Sequence, residues 1–192
     1  MPRCTIVGVG ALGSHLVHLL RNEPLELVVV DDDRVGAKNV LSQFHPKSTV
    51  GKNKTVALAQ TMQFLYGAKL RGIPHRVEGD NCFALLAEGM VDLVIDTLDN
   101  APSRRLVQTV VRAHKIPCLH GALAADGAYG RSCWDEQFVI DEGAAGAPTC
   151  EDGRHLPFVA LVAAYLARSV QEFVATGRKV GFEVSPFGAV AT

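Results

Sequence analysis

The chain has 192 residues, of which 48% are hydrophobic and 20% charged, and its formal net charge is −1. That length and balance suit a single domain over residues 1–192 with its own core, and they give no reason to expect nucleic acid or an anionic membrane as a partner. Five cysteines without a CxxC pair argue against a zinc ribbon and suit free thiols in a reducing cytoplasm.

Residues 1–4 show no basic stretch leading into an apolar run with a cleavage site, so secretion is not expected. Residues 4–9 are apolar and predict a first strand. Residues 11–21 predict a helix with Leu12, Leu16 and Leu19 on one face. Residues 25–30 are a continuous apolar run closed by Asp31, Asp32 and Asp33, which suits a strand buried on both faces of a parallel sheet. Residues 51–66 predict a helix whose shared face holds Val56, Ala59, Met62 and Leu65 or Tyr66. A third strand over 70–77 is weakened by Gly72 and Pro74. The clearest central strand covers 91–95, a helix with Pro102 in its first turn covers 101–115, and another strand covers 116–120.

The rhythm then changes. Residues 128–134 and 137–140 predict a hairpin across Asp135 and Glu136. Residues 141–155 are polar and rich in Gly and Ala and predict a mobile loop. Residues 156–176 predict a long helix closed by Gly177, whose most apolar part is too short to span a bilayer and reads as buried. The excess apolar surface over 156–174 predicts a dimer, with itself or with a related subunit. A last short strand is expected over 181–184. The alternation predicts an α/β fold: a doubly wound, Rossmann-like, mostly parallel sheet with an antiparallel hairpin extension.

Gly8-Val9-Gly10-Ala11-Leu12-Gly13 lies between the first strand and the first helix. In such a turn Gly8 permits the bend, Gly10 lets backbone approach phosphate, and Gly13 lets helix and strand pack closely. Free N–H groups at the helix start then face an anion. Asp31 ends the second strand, where a carboxylate can accept from ribose hydroxyls. This much predicts a nucleotide but does not choose among NAD, FAD and ATP.

Three later segments bear on the choice. They are Asn39-Val40-Leu41-Ser42-Gln43, then Gly51-Lys52-Asn53-Lys54, then Asp96-Thr97-Leu98-Asp99-Asn100 at the end of the central strand. Ligands of such sheets bind beyond the carboxyl ends of the strands, so all three can converge there. A lysine neutralises phosphate charge, and a carboxylate can hold Mg²⁺. Hydride transfer needs neither. Lys54 also fits an exposed helix lysine, Asp99 a simple helix cap, and Arg104 either a structural anchor or a nucleotide contact. Cys4, Cys82 and Cys118 read as core fillers, and His45, His114 and His155 have no companions at metal-ligand spacing.

With these motifs in order, and with Pro148-Thr149-Cys150 before the long helix, the chain resembles the nucleotide-binding domain of the E1-like, ubiquitin-activating-type family of ThiF, MoeB and HesA. The resemblance implies an adenylyltransferase that uses ATP and Mg²⁺. Its substrate would be a carboxylate, the C-terminus of a ubiquitin-like or sulfur-carrier protein or of a peptide. It puts Asp31 on the ribose, with Asn39 and Lys54 near the phosphates and Asp33, Gln43 and Asn100 in the same site. It puts Mg²⁺ on Asp99 and matches Cys150 to a cysteine that in some members links covalently to the partner. Ser42 stands where the family carries arginine, Arg3 is the one candidate for an arginine near the N-terminus, and the family's paired CxxC zinc site is absent. Two other classes stay open: a half-catalytic scaffold that needs a partner subunit, and an NAD-dependent oxidoreductase.

Overall fold

The computed structural model describes residues 1–87, 89–124, 126–140 and 153–192. β1 (Arg3–Val7) leads through the glycine turn into α1 (Ala11–Leu19); β2 (Glu26–Val30), α2 (Lys54–Tyr66), β3 (Arg71–Ile73) and α3 (Cys82–Leu86) follow. Then come β4 (Leu93–Asp96), α4 (Ala101–His114), β5 (Cys118–Leu123) and β6 (Gly130–Trp134). α5 (Leu156–Thr176), β7 (Phe182–Ser185) and β8 (Gly188–Ala191) complete the described elements.

All eight strands join one sheet in the order β3-β2-β1-β4-β5-β6-β7-β8. β1 to β5 pair in parallel, and β6 to β8 extend the edge antiparallel. The chain therefore winds outward through β1, β2 and β3 and restarts at β4 on the other side of β1. That reversal is the place where open α/β sheets hold ligands.

The apolar runs bury both faces of the sheet. Ile6, Val29, Ile95 and Leu119 pack with Leu12 and Leu16 of α1 and with Val159, Val162 and Leu166 of α5. Val7, Val30, Val94 and Cys118 pack with Cys82 and Leu86 of α3 and Val107 and Val111 of α4 on the opposite face. Each such side chain contributes roughly 1.5–3 kcal/mol by leaving water. α5 is long and apolar enough to cross a membrane by composition, and it is here a core helix lying against α1 and β5 to β7.

Several local expectations are corrected. The third strand is only Arg71–Ile73. Gly72 helps it rather than weakening it, because a Cβ there would stand 2.9 Å from the Thr55 carbonyl of α2. At the end of α1 it is Leu20, the residue after the helix, that is buried with Leu12 and Leu16, while Leu19 is 37% exposed. On α2 the buried stripe is Thr55, Leu58, Thr61 and Met62, and Val56, Leu65 and Tyr66 face outward. Residues 137–140 form no strand: the amides of Gln137 and Phe138 turn back to the carbonyls of Trp134 and Asp135 and cannot join a ladder. The antiparallel partner of β6 is β5, and a second hairpin, β7–β8, closes the edge. α3 and β8 are additional elements. Of the expected loop at 141–155, residues 141–152 lie outside the described residues, and so do Pro148, Thr149 and Cys150.

The tightest packing is at the glycine turn. Gly8 has φ +87, and a Cβ on Gly13 would stand 2.0 Å from the Gly8 carbonyl oxygen. Gly13→Ala must therefore move helix or strand, and it should cost about 1–3 kcal/mol or more. Gly79→Ala, where a Cβ meets nothing within 4 Å, should stay within about 0.5 kcal/mol of wild type. Denaturant unfolding of the two variants checks this, and equal stability would contradict the packing described.

Candidate functional site

The turn after β1 is held from both sides. The Gly8 amide donates to the Val30 carbonyl of β2, and the Thr97 amide donates to the Val7 carbonyl. The Thr97 hydroxyl donates to the Gly8 carbonyl at 2.6 Å. The ends of β1, β2 and β4 thus meet at one point. α1 starts there with Gly10 at its N-cap, no side-chain cap and no acid in its first turn. α2 and α4, by contrast, are capped by Asn53 and Asn100. The opening N–H groups of α1 are left for an anion.

Asp31 lies beside this turn. Its Oδ2 accepts from the Val9 amide at 2.7 Å and its Oδ1 from the Asp33 amide at 2.8 Å. Burial raises its pKa, against the opposing Lys54 charge and these two bonds. A carboxylate has lone pairs beyond those two and can accept further.

Lys54 is not an exposed helix lysine. It is 6% exposed, and its Nζ donates to Asp33 Oδ2 at 2.7 Å. Asn53 aims it: its Oδ1 caps α2 while its Nδ2 donates to the carbonyls of Asp31 and Asp33. The Asp31, Asp32 and Asp33 carboxylates lie within 4.8 Å of one another.

The 39–45 segment supplies the rim. Asn39 Oδ1 accepts from the Gly36 amide at 2.7 Å, which orients the side chain and leaves its amide nitrogen as the donor a phosphate needs. Gln43 reaches the glycine turn, with Nε2 3.9 Å from where a Gly10 Cβ would be. Gln43 Oε1, Ser42 Oγ and His45 Nδ1 are buried without partners. Such orphaned atoms are uncommon in folded proteins and leave these three groups free to bond a ligand or water.

The last wall is the turn after β4. Asp99 is exposed and is not the cap of α4; Asn100 is, accepting from the Ser103 amide at 2.9 Å. Arg104 is 8% exposed and anchors structure, donating to the carbonyls of Leu98 and Gly121. The structure therefore brings together Gly8, Gly10, Gly13, Asp31 and Gln43, with Lys54 on Asp33 nearby and Asp99 following the Thr97 contact.

Beneath that turn is a buried polar chain outside the sequence-level expectations. Asp96, fully buried, faces His120 in register on the adjacent strand, and His120 also meets Asp135, which Arg112 and Gln108 hold. One signal was present: His120 is a polar residue on the inward face of a core strand. Its partner Asp135 comes from a turn whose shape the hairpin expectation misassigned.

A family model for the ThiF family matches residues 2–168. This chain belongs to the ThiF family. Among ThiF-related proteins, the SAMP-activating enzyme E1 of Haloferax volcanii is 35% identical over 124 residues, covering 63% of this chain and 45% of that protein. The adenylyltransferase and sulfurtransferase UBA4 of Meyerozyma guilliermondii is 30% identical over 173 residues, covering 84% of this chain and 40% of that one. The chain thus spans less than half the length of these curated relatives. Among solved structures, E. coli MccB with AMPCPP and MccA superposes on the whole chain with TM-score 0.77 at 13% identity, covering 63% of MccB. That likeness shows the shared ThiF-type fold.

His45 makes a pH test of the site wall. Its Nε2 lies 3.0 Å from the Val9 carbonyl, and burial pulls its pKa down to about 4, with the Val9 bond opposing and the charges of Lys54 and His15 adding. The unfolded chain then binds more protons between about pH 4 and 6.5, so stability falls as the pH drops through that window. His45 should account for a loss on the order of 3 kcal/mol across it. Chemical denaturation of wild type and His45→Gln at several pH values should show a shallower slope for the variant; identical slopes would contradict the assignment.

Proposed function

We propose that this chain binds ATP with Mg²⁺ and transfers the adenylyl group to a carboxylate, the C-terminus of a ubiquitin-like or sulfur-carrier protein or of a peptide. The observation that carries this reading is the uncapped start of α1, at the sheet's reversal point, between the Asp31 carboxylate and the Asp99 turn. Membership of the ThiF family and the names of its relatives support it.

The residues fit a nucleoside triphosphate. Gly8 and Gly13 leave no room for side chains and fix the turn, while Gly10, at the uncapped start of α1, lets backbone N–H groups approach phosphate. Asp31 has acceptor capacity for a ribose. Lys54, with the amide nitrogens of Asn39 and Gln43, would face the phosphates; Asp33 holds the Lys54 ammonium in place. Asp99 would hold the metal, while Asn100 spends its carbonyl oxygen on the α4 cap and serves mainly to set the turn. When bound, Mg·ATP supplies the adenylyl group that a carboxylate oxygen takes up while pyrophosphate leaves. The chain's own contribution is charge: preorganised cations and N–H groups stabilise the growing negative charge most in the transition state. Cys150, outside the described residues, could act only after adenylation.

Ser42 favours a second reading. It is 2% exposed with an orphaned Oγ, and it offers no guanidinium where the family carries one. A dimer, with a second subunit supplying that cation to a half-catalytic chain, answers this deficit.

ATP with Mg²⁺ should raise the melting temperature, by the equivalent of about 2.7 kcal/mol at a hundred times Kd, and NAD should not. Asp99→Ala should lower ATP–pyrophosphate exchange about 10²–10³-fold, while Cys150→Ala should leave it intact. Stabilisation by NAD alone, or unchanged exchange in Asp99→Ala, would overturn the reading.

A further inference from the structure

His120 is fully buried between two carboxylates. Its Nδ1 lies 2.8 Å from Asp96 Oδ2 and its Nε2 3.0 Å from Asp135 Oδ1. A neutral imidazole has one N–H and would turn a lone pair on one of these oxygens; only the imidazolium donates to both. Each of the two carboxylates also faces a guanidinium. Asp96 also has Arg104 at 3.8 Å, and Asp135 has Arg112 Nε at 2.6 Å and the Gln108 amide at 2.8 Å. Phe138 stacks on the ring at 4.0 Å and 3° and keeps water off.

This chain of charges ends on the Asp99 turn. The second oxygen of Asp96 accepts from the Leu98 amide at 2.9 Å. Arg104 Nε donates to the Leu98 carbonyl at 2.7 Å and Arg104 Nη2 to the Gly121 carbonyl at 2.7 Å. Both backbone polar groups of Leu98 are therefore fixed by buried charged side chains, and Asp99 is the next residue. The other oxygen of Asp96 meets His120 Nδ1 at 2.8 Å and Arg104 Nε at 3.8 Å, so both oxygens of this carboxylate are held.

We propose that His120 is a positioning residue: as a cation bridging Asp96 and Asp135, it fixes the Asp96 carboxylate, and through it the Leu98 peptide that sets Asp99. Its consequence for nucleotide rests on the ATP reading above; the clamp itself does not.

Burial alone would favour the neutral ring, but the bonds to Asp135 and Asp96, with the charge of Asp96, outweigh it, and Arg104 opposes them; the His120 pKa is raised. Asp135 is correspondingly held low: burial opposes its charge, and bonds from His120, Arg112 and Gln108 more than compensate. Cys118 and Glu136 also lie in this field; the Cys118 thiol is pushed well up by burial and stays uncharged. A histidine with raised folded pKa adds stability that is complete below its unfolded value and is lost as pH rises through the folded one. The clamp should thus open on the alkaline side.

The test uses the full chain with ¹⁵N-labelled histidine. At neutral pH both His120 nitrogens should show protonated shifts, persisting above the pH where ordinary histidines titrate. Leu98 amide protection, corrected for intrinsic exchange, should fall about tenfold as His120 loses its proton, while Val29 in β2 should not change. Asp135→Asn keeps the shape and should move both transitions to lower pH, which a merely structural role would not do. Affinity for ATP with Mg²⁺, measured against ATP alone, should weaken in step. One protonated nitrogen at neutral pH, or Leu98 protection independent of His120 charge, overturns the clamp. Constant Mg·ATP affinity through the His120 transition overturns its positioning role. If wild type binds no Mg·ATP at any pH, the nucleotide reading fails, and the Leu98 protection alone decides the clamp.

Discussion

The site depends on how closely three stretches of backbone approach at the end of β1. Gly8 is pinned to Val30 on one side and to Thr97 on the other, and Gly13 touches the Gly8 carbonyl where no Cβ fits. Apart from the Thr97 hydroxyl, these contacts are backbone on backbone, and they leave little freedom for side chains to adjust. They carry the ends of β2 and β4 to the uncapped start of α1. Asp31 and the Asp99 turn arrive there as a consequence of the strand order.

A second layer is electrostatic. The two buried histidines near the site have opposite protonation. His45 sits against a backbone carbonyl with no carboxylate bonded to it among the described residues, and burial keeps it neutral. His120 has a carboxylate at each nitrogen, and the ring is held charged. The neutral ring backs the glycine turn, and the charged one backs the turn that carries the metal-binding candidate. Environment, not residue type, sets the difference.

Much of this was legible in the residues. Continuous apolar runs and the glycine motif specify parallel strands and the first βαβ unit, because a strand buried on both faces needs no alternation. The places of Asp31 after β2, Lys54 at the start of α2 and Asp99 in the turn after β4 were legible from the pattern of elements. What stayed hidden depends on long-range partners. The inward face of α2 is set by the Asn53 staple and by the Lys54–Asp33 pair, which override the apolar pattern at Val56 and Leu65. The stretch at 137–140 has strand-like residues, but Phe138 is drawn inward onto His120. No spacing rule links His120 to Asp96 and Asp135: the β4–β5 register sets Asp96 opposite His120, and Asp135 arrives from the turn that follows β6.

The central claim is that the start of α1 holds phosphates while the turn after β4 holds the metal. A crystal structure of the chain with a non-hydrolysable ATP analogue and Mg²⁺ tests it most directly. The account predicts phosphate oxygens on the backbone N–H groups at the uncapped start of α1, from Gly10 on, with the ribose at Asp31 and the metal on Asp99. Phosphates bound elsewhere, or a metal held by Asp31, Asp32 and Asp33 with Asp99 turned away, would contradict it.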